Sequence, residues 1–438
     1  MIMVMIRPET EMKYSGMQWI GDIPNDWNIK PLYACLNEIN QKNNPVVTTN
    51  ILSLTNTDGV IPYSERGNQG NKSKENFEEY KVVYPNTIVA NSMNILIGSV
   101  GLSQYEGCVS PVYYVYAAKP QVDIRYINYL FQMELFQKRL RQFANGILEI
   151  RLRVSSHDIL HQKVAVPAYD EQQAIADYLD EKCSKIDEII AESKASIDEY
   201  KELKQSIIFE AVTKGLDKTA EVKDSGYDFI GCIPDKWEMC KVRHLGTAQN
   251  GISIDGDAFG SGYPFVSYGD VYKNYSLPKT VDKLVQSSEE DRKRYSVEKG
   301  DWFFTRTSET IDEVGFSCVC EETIPDAVFA GFLIRVRPFN NRIYTGFAKY
   351  YFRSKHLRAF FVKEMNLVTR ASLSQGLLKD TPVVVPPYDE QIEIANYLED
   401  RCATIDGIIK DKESLIKDLE SYKKSLIYEV VTGKRRVV

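Results

Sequence analysis

Two phrases in this chain are each written twice. Val166-Pro167-Ala168-Tyr169-Asp170-Glu171-Gln172 returns 219 positions later as Val385-Pro386-Pro387-Tyr388-Asp389-Glu390-Gln391. A second phrase, Ser15-Gly16, Ile20-Gly21, Ile23-Pro24 and Trp27, returns 210 positions later as Ser225-Gly226, Ile230-Gly231, Ile233-Pro234 and Trp237. One phrase stands near the start of each half and the other near its end. The chain is therefore one unit of roughly 210 residues repeated, and it is constrained to fold as two similar bodies. Such a plan implies two related sites held at a fixed separation.

Each later phrase leads into an apolar stripe at helical spacing. In the first half Leu179, Cys183, Ile186, Ile190, Ser193, Ile197, Tyr200, Leu203 or Lys204, Ile207 and Ala211 step by fours and threes. In the second half Leu398, Cys402, Ile405, Ile409, Lys412, Ile416, Leu419, Tyr422 and Leu426 do the same. This is a coiled-coil seam, with polar layers at Ser193 and Lys412. A helix of about 43 residues would be a rod of about 64 Å. One seam cannot bury itself, so the two helices are expected to pair with each other. A pseudo-twofold relation between the halves makes that pairing antiparallel.

The segments before the helices carry β-branched and aromatic runs broken by turn residues, such as Lys81-Val82-Val83-Tyr84-Pro85 and Asp301-Trp302-Phe303-Phe304, which read as strands. Amphipathic helices are expected over 124–143 and 344–363. The predicted class is α+β: two globular α/β domains joined by two long helices in an antiparallel intramolecular coiled coil. The expected division is a tail at 1–12, a globular domain at 13–168, a long helix at 169–214 and a linker at 215–222. A second globular domain at 223–387, a second long helix at 388–433 and a tail at 434–438 complete it.

The net charge of −7 argues against a uniformly basic nucleic-acid binder. The acidity is concentrated, however. Residues 169–220 hold 7 basic and 13 acidic side chains and residues 388–438 hold 9 and 11, which leaves the globular parts about neutral. A neutral domain can still present a basic face, because local potential governs phosphate contact. Eight cysteines are spread thinly, with C-x-C at Cys318 and Cys320 as their one close spacing, and suggest reduced thiols in a cytoplasmic protein. No apolar run approaches the roughly 20 residues that span a bilayer.

Motifs for catalysis are weak. Pro386-Pro387-Tyr388 resembles part of the amino-methyltransferase motif, but Val385 stands where an Asp or Asn would hold the target amino group. No phosphate-binding glycine loop is present. His157 and His161 lack further ligands at a familiar metal spacing. The basic residues are more suggestive. Arg139 and Arg358 are displaced by 219, as are Arg151 and Arg370, and equivalent arginines could grip phosphate. Arg66, Lys72 and Lys74 sit in a segment rich in Asn, Gln and Gly, side chains suited to base edges. In the second half Tyr268 and Lys273 follow a strand-like run, and Arg306 sits between threonines.

On these phrases the chain resembles the specificity subunit of type I restriction–modification enzymes. The doubled Ser-Gly…Ile-Gly-x-Ile-Pro-x-x-Trp and the doubled Tyr-Asp-Glu-Gln carry the likeness. So do the helix endings Phe209-Glu210-Ala211-Val212-Thr213 and Tyr428-Glu429-Val430-Val431-Thr432. The resemblance implies that each globular part is a target-recognition domain reading one half of a bipartite double-stranded DNA sequence, and that the helices set the unread spacer. It implies docking of two modification subunits and of restriction subunits on the helices. The chain itself would be non-catalytic and bind no cofactor, with S-adenosylmethionine, ATP and Mg2+ on partner subunits. The seam residues expected to serve pairing and docking are Ile186, Ile190, Ile197, Tyr200, Ile207, Ile405, Ile409, Ile416, Leu419 and Leu426. The competing expectation is a coiled-coil scaffold whose globular ends bind proteins.

Overall fold

The computed structural model of the protein describes residues 4–55, 59–66, 76–145, 152–308, 314–364 and 371–437. The chain divides into two compact units. The first is built from Met1–Ser193 together with Glu413–Val438, and the second from Lys194–Lys412. Each unit therefore takes the first part of one long helix and the last part of the other.

In the first unit a four-stranded antiparallel sheet is made by β1 (Leu36–Glu38), β2 (Thr87–Asn91), β3 (Val100–Ser103) and β4 (Tyr113–Ala118), in the order β3-β2-β4-β1. In the second unit β5 (Gly246–Asn250), β6 (Trp302–Thr305), β7 (Ser317–Val319) and β8 (Leu333–Pro338) take the order β7-β6-β8-β5, which is the same topology. A two-stranded antiparallel ribbon closes each repeat. Asn28–Pro31 pairs with Lys163–Val166, and Glu238–Lys241 pairs with Pro382–Val385.

The helix expected over 124–143 is two helices, Ile124–Gln132 and Glu134–Arg141. Met133, with extended backbone (φ −66°, ψ 125°), ends one and begins the next. The break lets Phe131 and Phe136 meet edge to face, 5.4 Å between ring centres, in the same core. The helix expected over 344–363 is likewise Thr345–Tyr351 and Lys355–Glu364. Between them Arg353 turns inward and donates to the carbonyls of Val271, Tyr272, Asn274 and Ser317. The turn between the helices brings this buried cation to four carbonyl acceptors, which its burial requires.

The long helices run over Tyr169–Lys214 and Tyr388–Val431. In the first unit Ile175, Leu179 and Cys183 share a core with Leu426, Ile427 and Val430. In the second, Ile208, Ala211 and Val212 share one with Ile394, Leu398 and Cys402. The beginning of one helix thus meets the end of the other, and the pairing is antiparallel. Of the expected seam residues, Ile186, Ile190, Ile197, Ile405 and Leu426 are buried, while Tyr200, Ile207, Ile409, Ile416 and Leu419 are half-buried.

At one repeated layer the first half settles the open choice on Lys204, and the second half departs from the expected Tyr422. Leu203 and Tyr422 are exposed, and the layer is taken by the next residue, Lys204 or Lys423. Lys204 pairs with Asp406 at 2.7 Å, and Lys423 pairs with Asp187 at 2.7 Å. Both lysines and both aspartates are related by 219 positions, so one cross-helix ion pair is written into both units. The aspartates are more than half exposed, so each pair is worth about 1 kcal/mol or less. Its value lies in register rather than in stability.

Candidate nucleic-acid interface

The repeated phrases build a clamp at the start of each long helix. Trp27, 1% exposed, donates its indole N–H to Glu171 Oε2 at 2.9 Å, and Arg7 pairs with the same carboxylate. Trp237 donates to Glu390 Oε2 at the same distance. Next to each glutamate, a buried glutamine side chain bridges the domain. Gln172 accepts from the backbone N–H of Asp123 at 3.0 Å and donates to Pro167 O at 3.0 Å. Gln391 accepts from Tyr344 N at 2.7 Å and donates to Pro386 O at 2.8 Å. Tyr-Asp-Glu-Gln is therefore a structural phrase: its Glu grips the tryptophan and its Gln fixes the start of the domain's own helix.

On this frame the predicted DNA-binding side chains take up different stations. Lys72, Lys74, Arg151 and Arg370 lie outside the described residues. Arg66 follows a short 3-10 turn, over the Tyr63 ring at 5.4 Å and 3.5 Å from Ser53 Oγ. Arg139 lines a cleft of 720 Å³ with Trp19, Lys138, Phe143, His161 and Lys163. Its guanidinium lies 4.6 Å from the Phe143 ring and bonds to Gln162 at 3.2 Å and Gln142 at 2.5 Å. Arg358, although 219 positions on, sits 3.8 Å over the Phe316 ring of the second unit. The repeat places the two arginines on corresponding helices, but their neighbours differ.

The second unit brings two predicted residues together. Tyr268 and Arg306 line one cavity of 960 Å³, which Phe259, Phe265, Leu284 and Phe332 also border. Lys273 ends the same short helix, Tyr268–Lys273, and is exposed. That helix is held by Arg353, whose guanidinium lies between the rings of Phe316 at 4.5 Å and Tyr275 at 5.0 Å. Burial pulls the Arg353 guanidinium below its ordinary pKa, partly offset by Tyr275. A sequence alone marks neither Arg353 as buried nor Phe332 as exposed. Phe332 sits in a turn closed by Leu333 N–H donating to Ala330 O at 3.0 Å, and a phenylalanine beside glycine gives no sign of pointing outward. His157 and His161 stack on each other, 3.9 Å between centres.

The sequence phrases and this twice-built scaffold have counterparts in known proteins. A model of the type I restriction modification DNA specificity domain matches residues 25–199 and again 234–417. The chain belongs to that family. It is 21% identical to the type I restriction enzyme EcoKI specificity subunit of Escherichia coli, over 70% of this chain and 65% of that protein. It is also 21% identical to a putative type I restriction enzyme MjaX specificity subunit of Methanocaldococcus jannaschii, over 95% of this chain and 96% of that one. The match to the Escherichia coli subunit thus spans just under two thirds of its length.

Solved structures agree on the fold. A chain from a study of complex assembly and conformational transition in the type I R-M system superposes with a TM-score of 0.72 at 13% identity. The match covers 94% of this chain and 99% of that one. The HsdS subunit from Thermoanaerobacter tengcongensis gives a TM-score of 0.51 at 14% identity, covering 94% and 98%. Among the described residues no helix is long and apolar enough to cross a membrane.

Proposed function

We propose that this chain is the DNA-reading subunit of a type I restriction–modification complex. Each unit reads one half of a bipartite double-stranded target, and the paired helices set the unread gap. The observation that carries this reading is the contrast between frame and contents. The two units share one sheet order, one Trp–Glu clamp and one cross-helix ion pair, yet differ in the cations and rings they expose. A frame kept constant with altered contents suits two readers of different sequence.

The chain performs no chemistry of its own in this scheme and binds no cofactor. Two modification subunits, carrying S-adenosylmethionine, and restriction subunits, using ATP and Mg2+, dock on the helices. The complex works in the cytoplasm. Arg66, Arg139, Lys273 and Arg358, with the residues outside the described set, supply phosphate and base contacts. The amino-acid types support this, since phosphate contacts position a protein and base-edge contacts specify sequence.

The test is sequencing of DNA methylation in cells with and without the chain, alongside its modification subunit. A bipartite motif with a fixed gap, present only with the chain, is the expected result. Unchanged methylation, or one uninterrupted motif, would contradict the proposal.

A further inference from the structure

The two sheets can be superposed residue by residue through their own hydrogen bonds. Asn91 at the end of β2 faces Tyr113 of β4, and Thr305 at the end of β6 faces Leu333 of β8. One residue further on, Ser92 O accepts from Val154 N at 3.1 Å, and Arg306 O accepts from Leu373 N at 2.7 Å. Val154 and Leu373 are 219 positions apart, the displacement of the repeat. Ser92 and Arg306 therefore occupy one scaffold position. By the same register Val112, just before β4, corresponds to Phe332, just before β8.

The contents of these positions differ sharply. In the first unit they hold a buried serine and Val112, 37% exposed. In the second they hold a half-buried arginine and Phe332, 63% exposed. Arg306 is fixed at both ends of its peptide unit: its N–H donates to Phe332 O at 2.8 Å, and its carbonyl accepts from Leu373. No hydrogen bond or ion pair engages its guanidinium among the described residues. The side chain lines the 960 Å³ cavity whose walls include Phe259 and Phe332.

The Arg306 guanidinium is not among the buried unpartnered groups, so its donors face the cavity and are open to a ligand. The planar fork matches two acceptors side by side, as guanine presents in the major groove with O6 and N7. A phosphate can also take the fork, but the exposed Lys283 on the cavity rim already offers it a charge, and a phosphate contact would carry no sequence information. An exposed ring next to the fork suits the apolar face or methyl group of an adjoining base. We propose that Arg306 reads a guanine edge in the half-site bound by the second unit, with Phe332 packing on the neighbouring base. This rests on the DNA-reading function proposed above and adds the residues that set one letter of it. Because Ser92 and Val112 replace the pair, the first unit lacks this reader at the corresponding position.

The experiment is methylation sequencing with the full complex carrying wild type, Arg306→Ala, Arg306→Lys or Phe332→Leu. Arg306→Ala should make one guanine of one half-site degenerate, with discrimination falling roughly 5- to 150-fold, and leave the other half-site intact. Arg306→Lys keeps the charge but loses the fork, so it should show the same degeneracy. Phe332→Leu should relax the adjoining position. An unchanged motif, or uniformly weaker methylation with every base still required, overturns the proposal. If the alanine variant gives no methylation at all, the lysine variant decides: restoration of the wild-type motif marks a phosphate or structural role and overturns it. A wild-type complex with no bipartite motif would instead sink the DNA-reading function itself.

Discussion

Gly433 closes the first unit, and the cost of giving it a side chain can be worked out against an internal control. Its φ is +73°, and a Cβ built there would stand 2.5 Å from Pro24 Cδ and Cγ and 3.0 Å from Trp27 Cη2. Gly21, in the same unit, has φ +74° with nothing within 4 Å of its Cβ position. Alanine at either position incurs the left-handed backbone strain of about 1–2 kcal/mol. Only Gly433→Ala adds overpacking. Its neighbours are a proline ring in a paired strand and a tryptophan 1% exposed, so neither yields easily. Overpacking of this kind costs about 1–3 kcal/mol. Gly21→Ala should therefore lose about 1–2 kcal/mol, and Gly433→Ala about 2–5 kcal/mol. For a unit of this size 1 kcal/mol moves Tm by roughly 2–4 °C, so scanning calorimetry of the intact chain should separate the variants by several degrees. Equal shifts, or a larger loss at Gly21, would refute the idea that the end of the second long helix is wedged against the Ile-Pro-x-x-Trp phrase.

The clamp predicts an asymmetry between the repeats. Trp237→Phe leaves Glu390 with no side-chain partner among the described residues and should cost about 1.5–3 kcal/mol beyond the lost ring volume. Trp27→Phe leaves Glu171 still paired with Arg7 and should cost less, as urea denaturation would show; equal losses would deny Arg7 its part. His356 stacks on Phe209 at 3.6 Å, and burial together with Lys355 holds its pKa below the ordinary value. Its contribution is therefore complete above the unfolded pKa of about 6.5 and is lost as pH falls toward the folded value. His356→Phe keeps the stack without titrating, so the fall in urea midpoint between pH 7.5 and pH 5.5 should be smaller than in wild type. Arg139→Ala should weaken binding to all DNA sequences alike and lower the salt slope by about one unit; loss at a single base would instead mark a base contact.

The parts legible in the sequence were those where one periodic signal decides the outcome. Tyr-Asp-Glu-Gln and Ile-Pro-x-x-Trp announced the repeat, and threes-and-fours spacing announced two long helices, because a helix buries one stripe whatever lies around it. The interiors were harder. β2 and β6 share a place in the fold but little sequence, since a strand asks only for apolar residues that suit two faces. The late helices broke at Met133 and at Phe352–Ser354 because nearby core demands overrode a stripe that would have supported one helix. Leu203 and Tyr422 matched the seam spacing as well as the lysines beside them. The aspartate on the opposite helix, remote in sequence, decided which residue turned inward.

The candidate site divides in the same way. Residue types, such as arginines displaced by 219, can be read from a linear chain, and they pointed to nucleic acid. Which arginine is already occupied cannot be read there. Arg139 is bonded to two glutamines, Arg353 is spent on four carbonyls, and Arg306, beside Phe332, has no partner for its guanidinium among the described residues. Local periodicity and a duplicated phrase are properties of neighbours along the chain, so they survive in one dimension and name the frame. Whether a cation has a partner depends on groups tens to hundreds of residues away. Folding alone brings these together.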